Sequence, residues 1–170
     1  MAGIFAMEKR LAEVLVDLST RIDSNPDRSK RGGVLTLVPN EFAIVITMNI
    51  GTVGDPAELA TYFAFSREKA FRTYADFLRD PFHTVSSWQT RQEDINRYGG
   101  AVLFRRGRIS SPVDIISFSG LNEHVDEAIS LIIGKEMRLA SEDHIGRVID
   151  ISKNLVYREL YEAYVSKHRG

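Results

Sequence analysis

The residue pattern alone predicts an α+β protein, an antiparallel sheet with flanking helices and an extra helix at the C-terminus. Two observations carry that expectation. Runs rich in β-branched and aromatic residues come in pairs joined by short polar turns, the pattern of hairpins. Before, between and after those pairs, apolar residues recur at helical spacing. Sheet and helices should then stack in two or three layers.

Leu11, Val14, Leu15, Leu18 and Ile22 make a one-sided stripe that predicts a first helix from about Ile4 to Ile22. The stretch SNPDRSKRGG, residues 24–33, gathers Ser, Asn, Pro, Asp and Gly and reads as a loop carrying a few positive charges. Strands are expected over Val34 to Val38 and Phe42 to Met48, with Pro39-Asn40 turning between them. Asp55-Pro56-Ala57-Glu58 supplies a capping side chain, a proline suited to the first helical position and an early carboxylate, so a second helix starts there. It should reach about Leu78, with Phe71, Tyr74, Phe77 and Leu78 on an aromatic face, because Asp80-Pro81 disfavours helical angles.

Residues 81–100 have no clear period, and so long a connection in a compact domain often borders a pocket. Ala101 to Arg105 and Pro112 to Phe118 read as a second hairpin, joined by Arg106-Gly107-Arg108 and Ser110-Ser111. A helix opens after Asn122, a capping residue, with Glu123, Asp126 and Glu127 near its positive end and Val125, Ala128, Ile129, Ile132 and Ile133 on its apolar side. Ser141 can cap a last helix carrying Ile145, Val148, Ile149, Leu155, Val156, Leu160 and Tyr161.

Composition narrows the class. The 170 residues hold 22 Lys+Arg against 23 Asp+Glu, so the net charge of -1 implies neither a strongly basic nor a strongly acidic partner. Without cysteine, the chain has no disulfides, thiolate metal sites or cysteine nucleophiles. MAGIFAMEKRLAE lacks the basic and long apolar regions of a signal peptide, and no run approaches a bilayer span. A cytoplasmic protein with no membrane or nucleic-acid partner is expected, the clusters Lys30-Arg31 and Arg105-Arg106-Gly107-Arg108 being solvated turns. The phosphate-binding G-x-x-x-x-G-K-[ST] and the dinucleotide G-x-G-x-x-G are absent, and Ser119 lacks the flanking glycines of a hydrolase elbow.

Several short stretches match one family in order and spacing. Ser66-Arg67-Glu68-Lys69-Ala70, then Tyr98-Gly99-Gly100, then Phe118-Ser119-Gly120 followed by Asp126-Glu127 resemble the conserved segments of the haem-degrading domain family. That family includes GlcG, the C-terminal domain of PduO and HbpS, and the Ser119-Gly120-Leu121 form is most similar to an uncharacterised sub-branch. The resemblance spans roughly Met7 to Leu139. It departs at Ala101-Val102-Leu103, where a proline is usual, and around Met48-Asn49-Ile50-Gly51, where Asp and Gly are usual. It implies a profilin-like fold over residues 1–140, forming homo-oligomers, with 141–170 a helical extension for packing or an oligomer contact.

A glycine approach to a helix start leaves backbone N–H groups free for an anion, and Ser119 could add a hydroxyl. With the resemblance, this makes Lys69, Gly99, Gly100, Ser119, Gly120 and Asn122 the candidate ligand-binding residues. The plainer alternative is that the glycines serve only bends and close packing. Haem is the cofactor the resemblance implies. His83, His124 and His144 are then candidate iron ligands, and Arg67, Lys69, Arg105 and Arg106 candidate propionate partners, although no metal-ligand spacing stands out. The expected function is binding of a small molecule, a haem or another tetrapyrrole or anionic ligand, by a homo-oligomer. Alternatives are a haem-degrading or cofactor-modifying enzyme and a non-catalytic assembly subunit.

Overall fold

The computed structural model describes residues 5–105 and 112–169. In chain order it contains helix α1 (Ala6–Ser19), strands β1 (Arg31–Val38) and β2 (Ile46–Thr52) and helix α2 (Pro56–Arg79). Strands β3 (Ala101–Arg105) and β4 (Val113–Ser119) follow, then helices α3 (Glu123–Glu136), α4 (Glu142–Ser152) and α5 (Val156–Arg169). The strands form one antiparallel sheet in the order β2-β1-β4-β3. An α+β fold with flanking helices is therefore what these residues build.

Alternation along the strands separates the two faces. Val113 and Ile115 of β4, with Ala101 and Leu103 of β3, pack on Ala70 and Phe77 of α2, with Phe42 and Val45 from the β1–β2 connection against the same cluster. Ile116 and Phe118, with Val102 and Phe104, turn to the other side and meet α1, α3 and α5. Helix α3 lies between sheet and helices, so Val125, Ala128, Ile129, Leu131, Ile132 and Ile133 are all buried. Each large aliphatic side chain removed from water there contributes about 1.5–3 kcal/mol before chain entropy is set against it. The thinner cover on the α2 side leaves Phe71, Leu78 and Phe82 exposed.

Helix starts follow the sequence closely. Asp55 caps α2 by accepting from the Ala57 N–H at 2.8 Å, and Asn122 caps α3 by accepting from the His124 N–H at 3.0 Å. Several boundaries differ: β1 already starts at Arg31 rather than Val34, and β2 runs on to Thr52 rather than ending at Met48. Strand β2 begins at Ile46, not Phe42, because Asn40, Glu41 and Phe42 all take positive φ. The Phe42 ring instead packs 4.6 Å from Tyr74 and 5.3 Å from Phe71. Helix α1 ends at Ser19, where the Ser19 and Thr20 hydroxyls donate to the carbonyls of Val16 and Asp17. The C-terminal apolar stripe is two helices rather than one. Lys153 takes φ 57, and Asn154 restarts the chain by accepting from the Val156 and Tyr157 N–H groups. Residues 141–169 bury Ile145, Val148, Val156 and Leu160 in the same core as α1 and α3. The expected turn Arg106-Gly107-Arg108 with Ser110-Ser111, and the first residues through Ile4, lie outside the described residues.

Candidate functional site

The end of β4 determines the geometry of the site. Gly120 has φ +142, and a Cβ there would stand 2.5 Å from Gly33 Cα, so only glycine lets the chain bend past β1 into α3. From the first turn of α3, Asp126 reaches back: its Oδ1 accepts from the Leu121 N–H at 3.0 Å and its Oδ2 lies 3.0 Å from Lys69 Nζ. Lys69 also donates to the Phe118 carbonyl and is only 2% exposed. Burial pushes the Asp126 carboxyl up to about 6, although Lys69 and the Leu121 N–H both draw it down. Gly100, at φ +119, closes over this ion pair, with a Cβ there only 2.8 Å from Asp126 Cβ.

The connection from α2 to β3 holds two short 3-10 helices, Ser87–Thr90 and Glu93–Ile95, and is pinned by charge. The Arg72 guanidinium donates to the carbonyls of Ser87 and Tyr98 and to the Thr90 hydroxyl, while bonding Glu68. Arg91 makes two 2.9 Å bonds to Glu123, whose Oε2 also accepts from the Gly99 N–H. Burial raises the Glu123 carboxyl, but these donors hold it below the usual carboxylate range. Gly99 sits under the Trp88 indole, which a Cβ would strike.

Above the Lys69–Asp126 floor lies a cleft of about 360 Å³, walled by Tyr62 and Phe65 of α2, Tyr98, Lys30, Ser119 and Asn122. Phe65 and Tyr98 meet edge to face at 5.3 Å, and the Lys30 ammonium stands 5.6 Å above the Tyr62 ring. The Tyr62 hydroxyl donates to Glu58, and burial with that carboxylate raises the phenol's pKa. Among the described residues the Ser119 hydroxyl has no hydrogen-bond partner. Beyond Gly120, Lys30 and Tyr62, the cleft opens into a wider, polar trough of about 830 Å³ containing Arg31, Thr52 and Glu58.

Four of the residues named from sequence, Lys69, Ser119, Gly120 and Asn122, therefore meet at one cleft. Gly99 and Gly100 lie behind it, packed against Trp88 and the ion pair. None of the histidines lines it. His83 is exposed and bonded to Asp80, whereas His124 stacks on Trp88 at 4.7 Å with its Nε2 at the Ser152 carbonyl. Lys30, Tyr62 and Phe65 were not anticipated. The spacing of Tyr62, Phe65 and Lys69 at i, i+3 and i+7 was the available signal.

Glu127, the neighbour of Asp126, faces the other way and is fully buried. It accepts from Ser86, Ser152 and Asn154, tying the α2–β3 connection and the α4–α5 joint to α3. Among the described residues no cation pairs with it, and burial raises its carboxyl to about 7 against those three donors. Among the described residues no group of three His, Asp or Glu side chains is arranged to hold a metal, and no helix is long and apolar enough to cross a membrane.

Fold and site together define an α+β protein with a polar, aromatic-walled cleft at one end of its sheet. No family model, curated protein or solved structure matches the chain.

Proposed function

We propose that the protein is a small-molecule-binding module whose cleft at the end of β4 takes a flat, polar ligand. The observation that carries this reading is the unpartnered Ser119 hydroxyl facing a cleft walled by Tyr62, Phe65 and Tyr98. Ring faces bury a planar ligand with little loss of side-chain freedom, and one free hydroxyl orients it. The charges around the cleft cancel, Lys69 against Asp126, Arg91 against Glu123 and Lys30 against Asp27, so hydrogen-bonding groups and ring faces rather than net charge meet the ligand. A tetrapyrrole fits the flatness, as the family resemblance implies. Iron ligation gains less support, because no histidine lines the cleft and the phenols of Tyr62 and Tyr98 donate to Glu58 and Asn96.

Titration with haemin and with metal-free protoporphyrin, followed by the Soret band and by quenching of Trp88, tests the proposal. Saturable binding of both, weakened by Phe65→Ala and unaffected by His124→Ala, is the expected result. Absence of saturation with either porphyrin would remove tetrapyrroles and leave a smaller flat ligand to be sought. A homo-oligomer belongs to the same proposal, supported by the apolar exposure of Leu78 at 64% and Phe82 at 58% near the end of α2. Sedimentation of Leu78→Asp measures it directly, with a shift to smaller species expected.

A further inference from the structure

At the opposite end of the β3–β4 pair, Arg105, His144 and Arg147 line a cavity of about 410 Å³ together with Leu139, Ser141 and Asp143. Neither guanidinium has a carboxylate or hydrogen-bond partner among the described residues. Arg105 Nη2 and His144 Nε2 are both buried without a partner. Buried polar nitrogens are nearly always paired, so two unpaired ones lining one cavity mark a place suited to a polar ligand. Arg105 is held in place with its guanidinium 5.2 Å over the Phe77 ring, and the His144 ring packs 5.5 Å from Phe104.

We propose that this cavity binds a phosphate dianion, either free phosphate or the phosphoryl group of a small organic molecule. Guanidinium forks match phosphate oxygens in geometry and charge. Ser141, the N-cap of the 11-residue α4, is part of the same wall, so the positive end of that helix adds to the attraction. Proton uptake separates a dianion from a carboxylate, which would cancel the lining charge with His144 still neutral. Arg105 and Arg147 bring two positive charges and Asp143 one negative, so a dianion plus one proton on His144 leaves the occupied cavity neutral. The groups facing His144 are Arg105 and the Leu103 carbonyl from β3, and Asp143 and Arg147 from its own helix. Burial, then Arg147 and Arg105, depress the imidazole to about 4 against the carbonyl's pull, so it is neutral in the empty cavity at pH 7. A bound dianion reverses the sign of those surroundings and draws the proton on.

The test is an NMR titration of the His144 ring in the full chain, with inorganic phosphate and separately with glycerol 3-phosphate, at ionic strength held constant with chloride. The expected result is a saturable shift of the His144 signals, a higher His144 pKa in phosphate, and proton uptake on binding. Arg147→Gln and Arg105→Gln should each weaken binding about tenfold or more, with an unchanged circular dichroism spectrum. Ser119→Ala should leave it intact, which separates this site from the porphyrin cleft. Tighter binding of the ester supports an organic phosphate, and equal binding supports free phosphate. No saturable shift with either probe, or full affinity in both arginine variants, would overturn the proposal.

Discussion

The two ends of the β3–β4 pair treat charge in opposite ways. Where β4 runs into α3, Lys69 meets Asp126, Arg72 meets Glu68 and Arg91 meets Glu123, and each cation also fastens a backbone carbonyl, a hydroxyl or a neighbouring loop. Where β3 ends, Arg105 and Arg147 line the same cavity, and among the described residues neither forms an ion pair, although Asp143 shares the wall. The difference separates charges that hold the fold together from charges left for something else to neutralise. The buried cations are paired where they serve structure, whereas the partly buried Arg105 and the exposed Arg147 are left where a ligand can meet them.

The sharpest way to break this contrast is to remove one partner at each end. Asp126→Ala leaves the Lys69 ammonium buried and unpaired and should destabilise the protein by about 3–5 kcal/mol. Arg147→Ala, at the exposed end, should change stability by no more than about 0.5 kcal/mol. Urea midpoints measure both. The double variant Lys69→Met, Asp126→Leu should recover much of the loss, since an apolar pair of similar volume replaces both ions. Equal losses from Asp126→Ala and Arg147→Ala would erase the distinction.

A second expectation concerns pH. The folded pKa of Glu127 is raised to about 7 from an ordinary 4.5, so the folded state binds its proton more tightly than the unfolded chain. Stability is then fully present below about pH 4.5 and is lost as pH rises through 7, by up to about 3 kcal/mol. Asp126, raised to about 6, contributes in the same direction between about pH 4 and 6. Unfolding midpoints measured from pH 5 to 8 should fall with pH, and Glu127→Gln should flatten the upper part of that slope. A slope unchanged in the variant would show that Glu127 is not its source.

What was legible in the sequence is what local chemistry decides. Asp55-Pro56 and Asn122 announced their helices because a cap is a contact between residues two or three apart. Ala101 to Arg105 was readable as a strand because its side chains are β-branched, aromatic and apolar. The turn at Asn40 to Phe42 was not, because its left-handed backbone is sustained by Phe42 packing on α2, some thirty residues away. The break at Lys153 was hidden inside a continuous apolar stripe. At the site, Lys69, Ser119, Gly120 and Asn122 could be named from short motifs, yet the partner that occupies Lys69 stands 57 residues along the chain. Arg105 and His144 were visible as single candidates, and only the packing of α4 against the end of β3 makes them neighbours.

The smaller predictions sharpen the cleft itself. Gly120→Ala forces a side chain into φ +142 against Gly33 and should destabilise by about 1–3 kcal/mol whether or not a ligand binds. Ser119→Ala is the most discriminating change because it is the mildest. The hydroxyl bonds nothing among the described residues, so its removal should leave the urea midpoint within about 0.5 kcal/mol of the parent. If it orients a ligand, the same change should weaken protoporphyrin binding about three- to tenfold, the loss of one neutral hydrogen bond. Unaltered affinity in a fully stable Ser119→Ala protein would reduce the Ser119-Gly120 turn to a bend between strand and helix.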